Sequence, residues 1–409
     1  MKQSNQLSEK FTDKSILAIC LVIALTGVVA SKAITLLIII GGLSSLATLL
    51  LTHVPRPRII TAFTVTLAVL FAWASVSSFW SLNESGALKL CIRLIILCIA
   101  GILLVHVSTT VSAESRDRLQ KALLIGYGIG LLALLIGYAY AKSFNDSLWG
   151  GYYFDPLTTL NNGAVMVALL LLPVTMIVWK KHKPVAAIIL FSSVTSGLFF
   201  LSSGASVFSI LTGGLVFILV YMFGRRMGIA IAAVSAFLIL TAPYVTNGVT
   251  NSDITQTLTA EVPASTKHRL LMWEFVSKKI LETPYLGLGM DSSRHIPQDE
   301  FRLSSNMEIM PLHPHNAALQ LRLELGFPGV IAAVALVLTI FGIALGSQLS
   351  REHMALRVGV LCSYLSVGAV SYGVWQSWWI AIAWILAMIS TITAPTLFHE
   401  VHIRQKTGE

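Results

Sequence analysis

Long apolar runs separated by short polar turns dominate the sequence. A run that crosses about 30 Å of hydrocarbon predicts a transmembrane helix, and twelve such runs occur, some of them short. We therefore expect an all-α, polytopic membrane protein with about 12 transmembrane helices. The predicted spans lie near residues 15–31, 33–51, 59–79, 87–107, 120–141, 159–179, 184–202, 205–223, 228–245, 328–346, 356–374 and 378–397.

One connection is much longer than the others. It covers residues 246–327, between the ninth and tenth predicted spans, and connections longer than about 15 residues usually carry a function. The chain therefore divides into spans 1–9 at residues 1–245, a large loop with short helices and the chemical motifs at residues 246–327, and spans 10–12 with a C-terminal tail at residues 328–409.

Composition and charge agree with this organisation. The chain is 55% hydrophobic with a mean hydropathy of +0.78, which is typical of an integral membrane protein. Most Lys and Arg residues lie at the termini and at alternate turns, whereas only Lys32, Lys89 and Lys142 lie in or beside the remaining turns. The net charge of +9 therefore reports topology and not nucleic-acid binding, and it predicts cytoplasmic termini and an external 246–327 loop.

A polar, titratable segment stands immediately before the tenth predicted span. It contains His313 and His315 on either side of Pro314. Proline fixes its own φ and pushes the preceding residue towards an extended conformation, so the two imidazoles are presented on a stiff loop. The alternative, that both histidines only hydrogen-bond the loop, explains a lone histidine better than this cluster. We interpret the segment as the entrance of an active site.

A short helix is predicted directly after the histidines. Asn316 is a suitable N-cap, and Gly326 followed by Pro328 predicts the end of the helix. Gln320 and Glu324 are four residues apart and share one polar face. The segment therefore predicts a short amphipathic helix at the membrane surface.

The large loop contains a second polar cluster at residues 265–275. Arg269 and Trp273 are predicted to lie one turn apart on one helix face, while Met272, Val276 and Ile280 form an apolar side. The planar guanidinium of an arginine binds two phosphate oxygens at once, so Arg269 is a candidate phosphate clamp. The alternative, an arginine that snorkels with its stem over Trp273, stays open.

Several motifs are absent from the sequence. There is no Gly-Lys pair for a P-loop and no Asp-x-Asp for a metal-bound nucleotide sugar. The His-x-His pair would need Asp291 or His295 to fold back as a third zinc ligand. The four cysteines lie inside apolar runs without a Cys-x-x-Cys pair. We expect no nucleotide, no metal and no other cofactor.

These motifs resemble those of a known family. The run His313-Pro-His315-Asn316, continued by Leu319, Gln320, Glu324, Gly326 and Gly329, is similar to the signature of the O-antigen ligase and O-antigen polymerase superfamily of bacterial envelope glycosyltransferases. The segment from Arg269 to Trp273, followed by Pro284 to Gly289, resembles the second motif of that superfamily. The twelve-span layout with a large loop before the tenth span is also similar.

The resemblance implies a metal-independent reaction on the periplasmic side of a bacterial inner membrane. A glycan carried on undecaprenyl pyrophosphate would be transferred to a sugar hydroxyl of lipid A-core, which completes lipopolysaccharide. His315 would be the base that takes the proton of the acceptor, and Arg269 would hold the pyrophosphate. Other residues expected to contact substrate are His313, Asn316, Lys89, Arg93, Trp273, Arg322 and Glu324, among which Asn316 and Glu324 would mainly orient the loop and helix.

The sequence departs from the family pattern at one turn. Many members carry an arginine in a Ser-Arg-Gly-Ala-like turn between the seventh and eighth spans, and here this turn reads Ser202-Ser203-Gly204-Ala205. Lys89 and Arg93 are four residues apart at the start of the fourth span, and we expect them to supply the missing contact with the donor. The alternative is that Arg93 snorkels to lipid phosphates beside Lys89.

Three other functions remain possible from the sequence. An O-antigen or exopolysaccharide polymerase shares the donor chemistry and differs only in its acceptor. An oligosaccharyltransferase would use a protein as acceptor. A transporter of lipid-linked glycans would carry charged residues deep inside several spans, but only Arg93 lies well inside one.

Overall fold

A computed structural model describes residues 2–51, 61–144, 156–201, 203–250, 264–297, 302–304, 307–310 and 312–394. Thirteen α-helices account for most of this part of the chain. They are α1 (Lys2–Ala30), α2 (Ile34–Leu51), α3 (Thr61–Ser77), α4 (Glu84–Thr109), α5 (Ala113–Phe144), α6 (Pro156–Lys181), α7 (Pro184–Phe200), α8 (Gly204–Phe223), α9 (Arg225–Thr250), α10 (Ala264–Glu282), α11 (Ala317–Ala344), α12 (Arg351–Val370) and α13 (Ser377–Thr393).

The remaining elements are small. Three short 3-10 helices cover Ser31–Ala33, Ser78–Trp80 and Ser292–His295. Two short strands, β1 (Arg302–Ser304) and β2 (Met307–Glu308), form an antiparallel pair in the large loop. This pair is a small addition to an architecture that is all-α, as the hydrophobic pattern predicted.

Each predicted span coincides with one apolar helix. Nine helical segments of the described chain are long and apolar enough to cross a membrane, and one of them, Asp13–Leu51, contains both α1 and α2. The helices α7 and α13 are apolar but only 17 residues long. The twelve predicted spans are thus reached when α1 and α2 count separately and the two shorter helices are included.

Hydrogen bonds and ion pairs define the two ends of the helix bundle. At one end Asn162 bonds to Ser31 and to Tyr372, and Ser81 bonds to Ser292. At the other end Asp13 lies 3.7 Å from Arg118, Lys181 bonds to Asp117, and Lys180 bonds to His353. We call the first end the site end, because the candidate catalytic residues lie there.

The described basic residues that belong to the alternate turns lie at the end opposite the site end. Arg357 donates to the carbonyl of Ala394 at the C-terminus of α13, and Gly224, next to Arg225, packs against Arg351. Side-chain donors near the last carbonyls of a helix satisfy groups that have no partner within the helix. The charge pattern of the sequence therefore corresponds to one face of the folded bundle.

Helix α10 fixes the large loop to the bundle. Met272, Val276 and Ile280 are all buried, as predicted, together with Phe275. They form a separate apolar cluster with residues of α11 and of the 309–310 segment. His268 bonds to the carbonyl of Ile309 at 2.7 Å. The loop helix is thus anchored on both sides of the histidine motif.

The predicted helix after the histidines continues into the tenth span through a kink at Gly326. Asn316 caps α11 by accepting a hydrogen bond from the Leu319 amide at 3.1 Å, so the predicted cap is confirmed. Gly326 has a φ of +62° and lies against the carbonyl oxygen of Tyr285, where any side chain would clash. Pro328 is tolerated inside α11 because it stands just after this break in the helix.

The kink pairs with the second sequence motif. The amides of Leu288 and Gly289 donate to the carbonyls of Leu323 and Glu324 at 2.9 and 2.8 Å. Gly289, with a φ of +91°, packs against the backbone of Ser81, where a Cβ would approach Ser81 Cα to 2.5 Å. The segment from Pro284 to Gly289 therefore joins the large loop to α11 and to the end of α3 through backbone contacts.

Candidate active site

The His-Pro-His loop is held from both sides. Trp273 Nε1 donates to the carbonyl oxygen of Pro314 at 2.9 Å, and Asn316 caps the helix that follows. Trp273 therefore positions the loop from α10, one turn after Arg269. The stiff presentation of the two imidazoles that proline predicts is reinforced by these contacts.

His313 and His315 lie against each other. Their ring centroids are 4.4 Å apart, and the His315 amide donates to His313 Nδ1 at 3.2 Å. Because Nδ1 accepts, the proton of a neutral His313 is on Nε2, which lies 3.1 Å from the Gln376 side-chain amide. Gln376 Oε1 is buried and has no partner in the described chain. Turning the side-chain amide by 180° exchanges its nitrogen and oxygen, so that Oε1 accepts a hydrogen bond from His313 Nε2.

His313 is a neutral, buried residue. Burial, with smaller contributions from the charges of His315 and Arg294, lowers its pKa to about 3. Gly373 packs against its ring, and a Cβ there would approach His313 Cγ and Cδ2 to 2.9 Å. His313 is thus enclosed and packs against the ring of His315.

His315 differs from His313 in its backbone conformation and in its hydrogen bond. Its backbone is left-handed, with a φ of +52°, which is uncommon for a residue other than glycine. Its ring is half-buried, and Nδ1 hydrogen-bonds to the carbonyl oxygen of Ser371. A carbonyl only accepts, so Nδ1 carries the proton and Nε2 keeps its lone pair. Burial, followed by the charges of Arg269 and His268, lowers the pKa of His315, while the Ser371 bond opposes this shift.

Arg269 lies beside His315 and Tyr372. It is half-buried on α10, and although burial lowers its pKa, a guanidinium remains charged. Burial raises the pKa of the Tyr372 hydroxyl, which donates to Asn162 Oδ1 at 2.8 Å. The predicted base and the predicted phosphate clamp are therefore neighbours in the folded protein.

Glu324 connects several elements of the site by hydrogen bonds. It is fully buried, and its carboxylate accepts five hydrogen bonds in the described chain. The donors are the amides of Asp291 and Ser293, the Ser293 hydroxyl, Gln320 Nε2 and Trp375 Nε1. With no exposed surface, Glu324 holds the 291–293 turn and the 375 turn against α11. This geometry favours the orienting role over direct contact with substrate.

Arg294 is a cation near the histidines that the sequence motifs did not single out. It pairs with Asp291 at 3.1 Å, and its charge contributes to the lowered pKa of His313. The turn between α12 and α13, which supplies Ser371, Tyr372, Trp375 and Gln376, was also missed. The only sequence signal for this turn is its density of polar and aromatic residues between two spans.

The other predicted substrate contacts have partners outside the histidine loop. The Arg322 guanidinium stacks over the Phe327 ring at 4.9 Å and also lies near Tyr244 of α9, on the side of α11 away from Glu324. Lys89 and Arg93 are exposed on α4, and the Arg93 charge lowers the pKa of Asp291 against the larger raising effect of burial. Arg93 therefore belongs to the surroundings of the 291–295 turn.

No group of three or more His, Cys, Asp and Glu side chains in the described part of the chain is arranged to hold a metal ion. The site instead combines neutral imidazoles with guanidinium groups at one end of a helix bundle. This combination is typical of proton transfer next to a bound anion. The fold and the site thus define a multi-pass membrane protein with a histidine and arginine centre.

Comparisons with known proteins point to the same superfamily. A family sequence model described as O-antigen ligase matches residues 188–334, which include Arg269 and both histidines. A "Putative polysaccharide ligase" of Rickettsia felis is 28% identical over 348 residues, which cover 82% of each chain. Its counterpart in Rickettsia conorii is 27% identical over 332 residues, or 80% of this chain and 79% of the relative. These matches support the O-antigen ligase superfamily, which the motifs of the chain resemble.

Proposed function

We propose that this protein is an O-antigen ligase. It transfers a glycan from undecaprenyl pyrophosphate to a sugar hydroxyl of lipid A-core, on the periplasmic side of the inner membrane. The superfamily implies a lipid-linked glycan and an acceptor in general terms. The observation that carries the proposal is the His315 side chain, whose Nδ1 is committed to Ser371 while Nε2 has no hydrogen-bond partner among the described residues.

The proposed chemistry begins with the acceptor hydroxyl. His315 Nε2 takes its proton as the oxygen attacks the anomeric carbon of the donor glycan. The base must be neutral to accept this proton, and the lowered pKa of His315 keeps it neutral at physiological pH. General-base catalysis of this kind contributes about 10²- to 10⁴-fold to a rate.

The leaving group is the second part of the proposal. As the new oxygen–carbon bond forms, the bond between the anomeric carbon and the pyrophosphate oxygen breaks, and its electron pair stays on that oxygen. Arg269 stabilises the negative charge that develops there. Because Arg269 neighbours His315, one site serves both the nucleophile and the leaving group.

The position of the site in the bundle suits two lipid-anchored substrates. The histidines lie at the site end, whereas the basic residues of the alternate turns lie at the opposite end. By the positive-inside rule the basic end faces the cytoplasm, so the proposed reaction faces the periplasm. Donor and acceptor then reach the site while their lipid anchors stay in the outer leaflet.

The test is a transfer assay with purified protein and a lipid-linked glycan. One reaction contains lipid A-core as the acceptor and a second contains only further lipid-linked repeats. Extension of lipid A-core supports the ligase. Growth of the lipid-linked glycan alone would instead assign a polymerase, and movement of the glycan across a vesicle membrane without transfer would assign a transporter.

A further inference from the structure

Two guanidinium groups lie near the histidine pair. The charge of Arg269 acts on His315 and that of Arg294 on His313, while the two imidazole rings are 4.4 Å apart at their centroids. Arg269 comes from α10 and Arg294 from the 3-10 helix at Ser292–His295. The site therefore has two cations near its histidines, from two separate elements.

Hydrogen bonds fix the turn that carries Arg294. Asp291, with a φ of +59°, starts this turn, and Glu324 accepts hydrogen bonds from the Asp291 and Ser293 amides. Glu324 also accepts a hydrogen bond from Gln320, and Gln320 Oε1 accepts one from the Val374 amide at 2.9 Å. Two residues after Val374, Gln376 contacts the His313 ring. One hydrogen-bonded network thus fixes both the turn and the His313 ring.

The guanidinium of Arg294 keeps capacity for a ligand. Its closest contact with Asp291 is through Nε at 3.1 Å, and 44% of the Arg294 side chain is exposed, compared with 12% for Asp291. No hydrogen bond from either Nη atom to another residue occurs in the described part of the chain. The two Nη groups form an edge that suits bidentate binding of phosphate oxygens.

We propose that Arg294 binds the second phosphate of the polyprenyl pyrophosphate donor, while Arg269 binds the first. This inference rests on the proposed function. A diester of pyrophosphate carries two negative charges and gains a third when the glycan leaves, so a single arginine neutralises only part of the charge. Arg294 thereby supplies the cation that the Ser203-Gly204 turn lacks; Ser203 is buried and bonds to Ser206 at 2.7 Å.

The experiment measures equilibrium binding of undecaprenyl pyrophosphate and undecaprenyl monophosphate to the full-length protein in nanodiscs. We expect Arg294→Gln to weaken diphosphate binding about tenfold or more, because a charge-assisted contact is lost. Monophosphate binding should change by less than about threefold. Arg294→Lys should recover part of the loss, since it restores the charge without the planar fork.

The controls separate this inference from the proposed function. Lys278→Gln removes a positive charge from α10 that pairs with Glu274, and it should bind both lipids like the wild type. If the wild-type protein does not bind the diphosphate, the proposed function fails. If the wild type binds and Arg294→Gln binds equally well, Arg294 is not a donor contact. Equal losses for both lipids would also overturn the inference, and a lowered melting temperature in that case would assign Arg294 a structural role.

Discussion

The Nδ1 atom of His315 hydrogen-bonds to the carbonyl oxygen of Ser371, across the junction between the His-Pro-His loop and the turn after α12. This bond determines which imidazole nitrogen is available for chemistry. A carbonyl accepts from a protonated nitrogen only, so the free nitrogen is Nε2. The proposed base is therefore in the tautomer that general-base catalysis requires before substrate arrives.

The first prediction concerns the pH dependence of transfer. Burial and the charges of Arg269 and His268 hold the pKa of His315 below 6.5. His315 is active when neutral, so kcat/KM should be constant above about pH 7 and fall only at pH values below the lowered pKa, by about tenfold per pH unit. Initial rates from pH 4.5 to 8.5, with melting temperatures at each pH, test this. A midpoint clearly above 6.5 would contradict the assignment of His315 as the base.

The second prediction separates the chemistry of His315 from its backbone. Asn tolerates a left-handed conformation better than most residues, whereas Ala at a φ of +52° is strained by about 1 kcal/mol. Both His315→Asn and His315→Ala should lose at least about 10²-fold in transfer rate. Only His315→Ala should also be destabilised, as measured by thermal unfolding in detergent. Near-normal transfer by His315→Asn would show that another group takes the proton.

The third prediction concerns Gly373, which packs on His313. A Cβ at Gly373 would meet His313 at 2.9 Å and Gln320 Oε1 at 3.1 Å, and both neighbours are held by hydrogen bonds. Gly373→Ala should therefore displace the His313 ring and lower kcat about tenfold or more. Gly368→Ala is the matched control, because its Cβ would find ordinary contacts at 3.7 and 3.9 Å. Equal activity of the two variants would mean that the position of His313 does not matter.

Much of the fold was readable from the sequence, because long apolar runs and their polar ends are local signals. The cap at Asn316 and the break at Gly326 were predicted for the same reason, since both depend on a few neighbouring residues. The partners of His315 were not predictable. Ser371 is 56 residues away and contributes only its backbone carbonyl. Every residue has such a carbonyl, so the sequence does not reveal which one contacts His315. Arg294 was missed because its role depends on a turn that Glu324 holds from another element.

The fourth prediction concerns Glu324 as a buried hydrogen-bond centre. Its five donors have no alternative acceptor in the same position, so Glu324→Ala should destabilise the protein by about 3 kcal/mol, because buried donors are left without an acceptor. The comparison is Glu274→Ala, which removes only a partly exposed ion pair with Lys278 and should cost about 0.5 kcal/mol. Unfolding in denaturant with refolding controls measures both. Similar stabilities of the two variants would show that the network around Glu324 is dispensable.

The last prediction concerns Arg93 and Lys89 on α4. They are four residues apart on one helix side, with Arg93 about 6 Å further along the axis, and Arg93 acts electrostatically on Asp291 beside Arg294. Both are exposed, so their contribution to donor binding is long-range and screened by salt. We expect Arg93→Ala to weaken binding of the pyrophosphate donor about threefold to tenfold at low salt, and Lys89→Ala to weaken it less.

Salt distinguishes this contribution from direct contact. Raising the ionic strength from 0.02 to about 0.5 M should remove most of the Arg93 effect, because the Debye length falls below about 5 Å, while the Arg294 effect persists. Binding isotherms for Arg93→Ala, Arg294→Gln and the double variant at both ionic strengths test this. If Arg93→Ala binds and transfers the donor as well as the wild type at low salt, Arg93 only snorkels to lipid phosphates and takes no part in the site.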